Sequence, residues 1–286
     1  MNLHKWKDID RRGTVEKLTY VATTENGNRL YKYANIYLPY GYTPEKKYNV
    51  LYLMHGGGGN PDAWLDCSQI KNVFDQAFIE GRTEPFITVF PTFYNSSPQE
   101  LRRNGINHDA EISLVLGFQK ELREHLIPAV ETKYSTYADG VDTEALEASR
   151  KHRAFGGFSM GGGTTWFAFL HNLDIIANFM PLSGDCWALD VLGGKTKTKE
   201  TAKYLHDYVM DKRLEFHIYS ATGSKDLGDE TLTPMITEML KYPDAFLTSD
   251  DLGWGNVHHD VQEEFEHAYE AVYHYVNHYI AYLFKW

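Results

Sequence analysis

The chain has 286 residues, 43% of them hydrophobic and 23% charged, which is the make-up of a globular domain with a large core. Its 39 acidic against 28 basic side chains give a formal net charge of −11, which argues against nucleic acid or an anionic membrane as the main partner. No apolar run approaches the ~20 residues of a membrane-spanning helix. Two cysteines, Cys67 and Cys186, form neither a metal-ligand pattern nor a disulfide framework, and a single bridge between them is left open.

In chain order, Met1–Asp8 has no apolar leader core, so the chain is read as intracellular or, preferably, as the mature form of a secreted protein. Residues 14–24 alternate, Glu25-Asn26-Gly27-Asn28 is a hairpin turn signal, and Tyr31 to Leu38 is the returning strand. The continuous apolar run Asn49 to Met54 predicts a strand buried on both faces, emptying into His55-Gly56-Gly57-Gly58-Gly59-Asn60. A helix is expected over Asn72 to Glu80 and a second buried strand over Phe86 to Phe90. Residues 92–110 read as a polar loop, Asp109 to Tyr134 as helical with Pro128 inside, and Ala138 to Arg150 as an acidic, solvated stretch. Ala154 to Phe158 is the next strand, followed by a helix around Thr164 to Leu170 and a strand from Asn178. Residues 190–213 are charged and helical, and Glu215 to Ala221 is a strand opening at Thr222. A helix at about 231–241, a last strand near Val257 to Gln262 and an aromatic helix from His267 to Phe284 complete the chain. Strands alternating with helices, and no linker, predict a single α/β domain over 1–286. Its sheet should be mostly parallel and covered on both faces, with the N-terminal hairpin antiparallel at an edge. This is the outline of an α/β-hydrolase fold.

The chemistry centres on Gly157-Phe158-Ser159-Met160-Gly161, which reads G-x-S-x-G. In that motif a strained strand-to-helix turn aims a serine hydroxyl out of the sheet, and small neighbours let the helix pack against the strand. Acyl transfer further needs a base, an acid to orient it, and donors for an oxyanion, in the order Ser, Asp or Glu, His for this fold. Asp226 follows a strand end and is the preferred acid. Asp185 is the alternative, or else a loop carboxylate accepting backbone N–H bonds beside the site. Of the C-terminal histidines, His258 and His259 fall within the last strand, one towards each face. His274 and His278 are one helical turn apart but lack a third metal ligand, so they read as helix surface and no metal or cofactor is expected. His267, between the last strand and the last helix, is the preferred base. The glycine loop after Met54 and the residue after the serine supply the oxyanion donors, the N–H groups of Gly57 and Met160.

Taken together, Tyr37 to Tyr42, Tyr52 to Gly58, Pro91 to Phe93, Lys133 to Ala138, Ala148 to Arg153, Gly156 to Gly162, Phe179 to Asp185 and Ala221 to Asp226 resemble the feruloyl esterases of carbohydrate esterase family 1. The resemblance implies Ser159, Asp226 and His267 as a catalytic triad. It also implies hydrolysis of ferulate or p-coumarate esters on the arabinose side chains of xylan. It places Trp187 and Leu227 along the phenolic pocket; Asp185, beside the site, is taken with them as a substrate-binding candidate. Glu266 and Ala268 around His267 depart from the small residue and tryptophan that often flank the base there. Oligomeric state stays open.

Overall fold

The computed structural model describes residues 9–24, 27–95 and 108–286. Eight strands form one sheet in the order β1-β2-β4-β3-β5-β6-β7-β8. They are β1 Thr14–Thr23, β2 Arg29–Leu38, β3 Asn49–Met54, β4 Phe86–Phe90, β5 Arg153–Phe158, β6 Asn178–Leu182, β7 His217–Lys225 and β8 Val257–Glu266. The β1–β2 hairpin sits antiparallel at one edge, β2 joins β4 antiparallel, and every pairing from β4 to β8 is parallel. The mostly parallel α/β-hydrolase sheet expected from the sequence is the one observed. The hairpin turn expected at 25–28 and the polar loop at 92–110 fall partly outside the described residues.

The period of two divides the core into two layers. On β3, Val50, Tyr52 and Met54 face one layer, while Leu51 and Leu53 face the other. The first layer is closed by the helices His108–Glu121, Met160–Asn172 and Thr198–Lys212, and the second by Ile70–Ile79 and Tyr269–Tyr279. At the foot of β5, Arg153 and Glu131 form an ion pair in which both side chains are 1% exposed. Arg153 also donates to the carbonyls of Leu146 and Ile175 and to Ser149 Oγ, so its charge is hydrogen-bonded throughout.

Several boundaries differ from the expectation, each for a physical reason. The helix expected through Pro128 is broken into His108–Glu121, a π-helical turn Leu122–Leu126, and Ile127–Lys133. Proline has no N–H and crowds the preceding turn; the wider π turn absorbs this and restarts the helix with Pro128 in its first turn. The acidic stretch 138–150 is not wholly solvated: Asp142 caps a helix Thr143–Ala148 by accepting the Ala145 N–H, and that helix buries Leu146. β7 does not open at Thr222 but runs to Lys225, and β8 runs to Glu266, because these polar ends pair with each other up to Lys225↔Glu266. The last helix starts at Tyr269, not His267. Cys67 is exposed and Cys186 is buried, and both are free thiols, so no bridge joins them.

Candidate active site

Three loops at the carboxyl ends of the parallel strands converge on Ser159, which β5 delivers to the start of the helix Met160–Asn172. Its backbone is held at φ 58° and ψ −119°, a region that L-residues rarely occupy. The Ser159 N–H donates to Leu182 O on β6 at 2.9 Å, and its carbonyl accepts the Gly163 N–H at 3.1 Å. The small neighbours are a packing requirement. A Cβ on Gly161 would lie 2.5 Å from His55 O and 2.8 Å from Met54 O, so the helix start rests on the end of β3 backbone to backbone.

The register of the last two strands explains why Asp226 and His267 meet. Lys225 pairs with Glu266, so the next residue of each strand lies beside the other across a short two-stranded arm. A hydrogen bond of 2.7 Å joins His267 Nδ1 to Asp226 Oδ1, and one of 2.8 Å joins His267 Nε2 to Ser159 Oγ. The Asp226 side chain is 1% exposed and that of His267 is 24% exposed. Asp226 Oδ1 also accepts the Gly228 N–H at 2.6 Å, which anchors the carboxylate in its loop. An ionised carboxylate only accepts, so Nδ1 carries the imidazole proton and the Nε2 lone pair faces the serine O–H. The His267 ring packs 4.6 Å from Phe158, which limits its tilt. This arrangement can take a proton from Oγ and return it to a leaving group.

The two proposed oxyanion donors lie together. Met160 is the first residue of its helix, where the N–H has no partner within the helix. A Cβ on Gly57 would come 2.6 Å from Met160 Sδ, so the glycine loop abuts the helix start, and a Cβ on Gly56 would be 3.4 Å from Ser159 Cβ. Leu227 is 58% exposed next to Asp226, not part of the core. Trp187 packs on the first turn of the same helix, its indole about a van der Waals contact from where a Gly163 side chain would be. Asp185 is 1% exposed. Its carboxylate accepts from Trp187 Nε1 at 3.0 Å and from the Gly194 N–H at 2.7 Å, so it anchors the tryptophan and presents no free oxygen to the cleft. Burial raises the Asp185 pKa above its ordinary value, and those two donors oppose the rise.

The remaining histidines lie elsewhere. His258 is buried and stacks on Tyr219, with ring centroids 5.4 Å apart. His259 bonds to Ser220 Oγ and Thr233 Oγ1 on the opposite face of β8. His278 is exposed, and no group of three or more metal-ligating side chains occurs among the described residues. Sequence reasoning missed Tyr94 and Tyr269, whose hydroxyls accept the N–H groups of Gly58 at 2.6 Å and Gly56 at 3.0 Å. Tyr269 lies two residues after His267, but nothing in the local pattern says where its hydroxyl goes.

Residues 29–249 match the family model described as "Putative esterase". The chain is 41% identical over 239 residues, 83% of its length, to endo-1,4-beta-xylanase Y of Acetivibrio thermocellus, and covers 20% of that protein. It is 27% identical over 209 residues, 70% of its length, to an endo-1,4-beta-xylanase/feruloyl esterase of Xylanibacter ruminicola, and covers 25% of it. The chain therefore spans only about a fifth to a quarter of the length of these curated relatives. Among solved structures, a serine-to-alanine mutant of the feruloyl esterase module from Clostridium thermocellum, complexed with sinapinate, superposes with a TM-score of 0.82 at 36% identity, covering 98% of this chain and 90% of that one. The ferulic acid esterase of Anaeromyces mucronatus shares the fold at 19% identity, with a TM-score of 0.70 over 99% of this chain and 96% of that one. The chain belongs to this esterase family, alongside the feruloyl esterase module of Clostridium thermocellum.

Proposed function

We propose that the chain is a serine carboxylesterase that hydrolyses feruloyl and p-coumaroyl esters on the side chains of arabinoxylan, without metal or cofactor. The observation that carries the reading is the unbroken hydrogen-bonded line from Asp226 through His267 to Ser159, at 2.7 and 2.8 Å. Kinship with an endo-1,4-beta-xylanase/feruloyl esterase supports the polymer, and kinship with a feruloyl esterase module complexed with sinapinate supports the acyl group. A cell-wall polymer as substrate also agrees with a location outside the cell.

In the first half-reaction Ser159 Oγ attacks the ester carbonyl while His267 Nε2 takes its proton. The carbonyl π electrons move onto oxygen, where the N–H groups of Met160 and Gly57 hold the charge; one such donor is typically worth ~10²–10³ in rate. The C–O bond to the sugar then breaks and His267 returns the proton to the departing alcohol. In the second half-reaction water replaces the alcohol, His267 takes a proton from it, and the hydroxycinnamate leaves as Ser159 Oγ is reprotonated. Trp187 and Leu227 flank the acyl group in this reading.

The test is a comparison of kcat/KM across the methyl esters of ferulate, p-coumarate, sinapate and caffeate, alongside acids released from a feruloylated, acetylated arabinoxylan. The expected result is turnover of the methyl hydroxycinnamates and release of ferulate from the polymer. Release of acetate alone would instead assign a small-acyl esterase and overturn the proposed specificity.

A further inference from the structure

Four consecutive glycines, Gly56 to Gly59, have no side chains with which to hold their own conformation. Oxyanion stabilisation nevertheless requires an amide aimed to within a few tenths of an ångström before the substrate arrives. We propose that Tyr94 and Tyr269 are positioning residues of the oxyanion hole, their phenol oxygens taking the amide protons on either side of Gly57 and leaving the Gly57 N–H to face the cleft. The inference rests on the reading of Ser159 as the nucleophile.

The two tyrosines reach the loop from opposite walls. Tyr269, at the start of the last helix, accepts from Gly56 N at 3.0 Å and packs edge-on against Trp64 and Phe158. Tyr94, after β4, accepts from Gly58 N at 2.6 Å and donates to Glu111 on the helix His108–Glu121, which fixes its rotor. Gly57 lies between them, exposed to the cleft, and no acceptor among the described residues takes its N–H. The carbonyl side of the loop is held separately. Burial keeps His55 neutral, pulling its pKa down to about 4. Gly56 O can only accept, so His55 Nδ1 donates to it at 2.7 Å and Nε2 accepts from the Thr92 hydroxyl at 2.7 Å. Thr92 Oγ1 in turn accepts the Tyr94 N–H at 3.1 Å, which ties the two supports together. Burial raises the Tyr269 phenol to about 12, so it stays neutral through the working range of an imidazole base.

The test uses Tyr94→Phe, Tyr269→Phe and the double variant in the full chain, since phenylalanine keeps the ring packing and removes only the hydroxyl. Readouts are kcat and KM for methyl ferulate and p-nitrophenyl acetate, inhibition by a cinnamyl trifluoromethyl ketone and by free ferulate, and Tm. The ketone forms a tetrahedral adduct with the serine and places an oxyanion in the hole; ferulate does not. The expected result is a fall in kcat on the order of 10- to 100-fold in the double variant, below the ~10²–10³ of losing a donor outright, with KM within about twofold. The ketone should weaken by a similar factor while ferulate binding is unchanged, and the single variants should show the same split in smaller measure. Unchanged kcat and ketone affinity, or a loss confined to KM, would overturn the inference. Failure of the underlying esterase reading looks different: the unmodified chain itself would turn over neither ester, and the inference would be rejected with it.

Discussion

Ser159 holds a backbone conformation that costs on the order of 1–3 kcal/mol, and a ring of contacts makes it the only one available. The hydrogen bond from its N–H to Leu182, the Gly163 bond to its carbonyl and the Gly161 contact with the end of β3 all constrain this one turn. Asp226 has the complementary task of fixing the imidazole. Its Oδ1 accepts from both His267 and Gly228, so the ring is held in the Nδ1–H tautomer. Asp226→Asn keeps the shape but can present a donor to Nδ1 and reverse that tautomer. We expect kcat for methyl ferulate to fall by about 10³–10⁴ with little change in Tm, and a loss under tenfold would contradict the role. At this scale much was legible from sequence, because order along the chain and position at strand ends carry the chemistry: Ser159, Asp226 and His267 were all placed together. Tyr94, Tyr269 and the Trp187–Asp185 anchor were not, because a side chain's hydrogen-bond partner depends on which distant segment folds beside it.

Among the elements, the elbow helix shows how differently neighbouring glycines are constrained. A methyl group at Gly161 would meet the carbonyls of Met54, the last residue of β3, and of His55 just after it, which are backbone and cannot swing aside, whereas at Gly163 the nearest atoms are 3.6 Å away on the Trp187 ring. Gly161→Ala is therefore expected to cost ~3 kcal/mol or more, at the upper end of overpacking penalties. Gly163→Ala should be neutral or stabilising by up to ~1 kcal/mol, because alanine loses less freedom in a helix. Urea unfolding of the two variants checks this, and equal stabilities would contradict it. The buried strands β3 to β6 were readable to within about a residue from continuous apolar runs. The ends of β7 and β8 were not, since Ser224, Lys225, Glu264 and Glu266 are polar: the ladder resumes past an irregularity only through the Lys225↔Glu266 pair, with the Glu264 N–H donating to Ser224 Oγ. The π turn before Pro128 was equally hidden, since a proline says that a helix must adjust but not how.

Across the whole molecule, two core layers on one sheet bury titratable groups as well as apolar ones. His55, His217 and His259 sit in places where burial pulls each pKa down to about 4 from an ordinary 6.5. Between those values the unfolded chain binds protons that the folded chain does not, so this stability is fully present above about 6.5 and is lost as pH falls towards 4. The slope reaches about 1.4 kcal/mol per pH unit for the buried His55 ring, and less for the partly buried His217 and His259. Tm should accordingly be lower at pH 5 than at pH 7, and His259→Gln should flatten the dependence; a Tm independent of pH across this window would contradict the account. In the proposed function the architecture serves one event, transfer of an acyl group to Ser159 and then to water. The most direct measurement is release of ferulate from methyl ferulate by the Ser159→Ala variant beside the unmodified chain, with matched Tm values showing that both are folded. The account predicts steady release by the unmodified chain and none above the buffer rate by the variant; appreciable turnover by folded Ser159→Ala would contradict it.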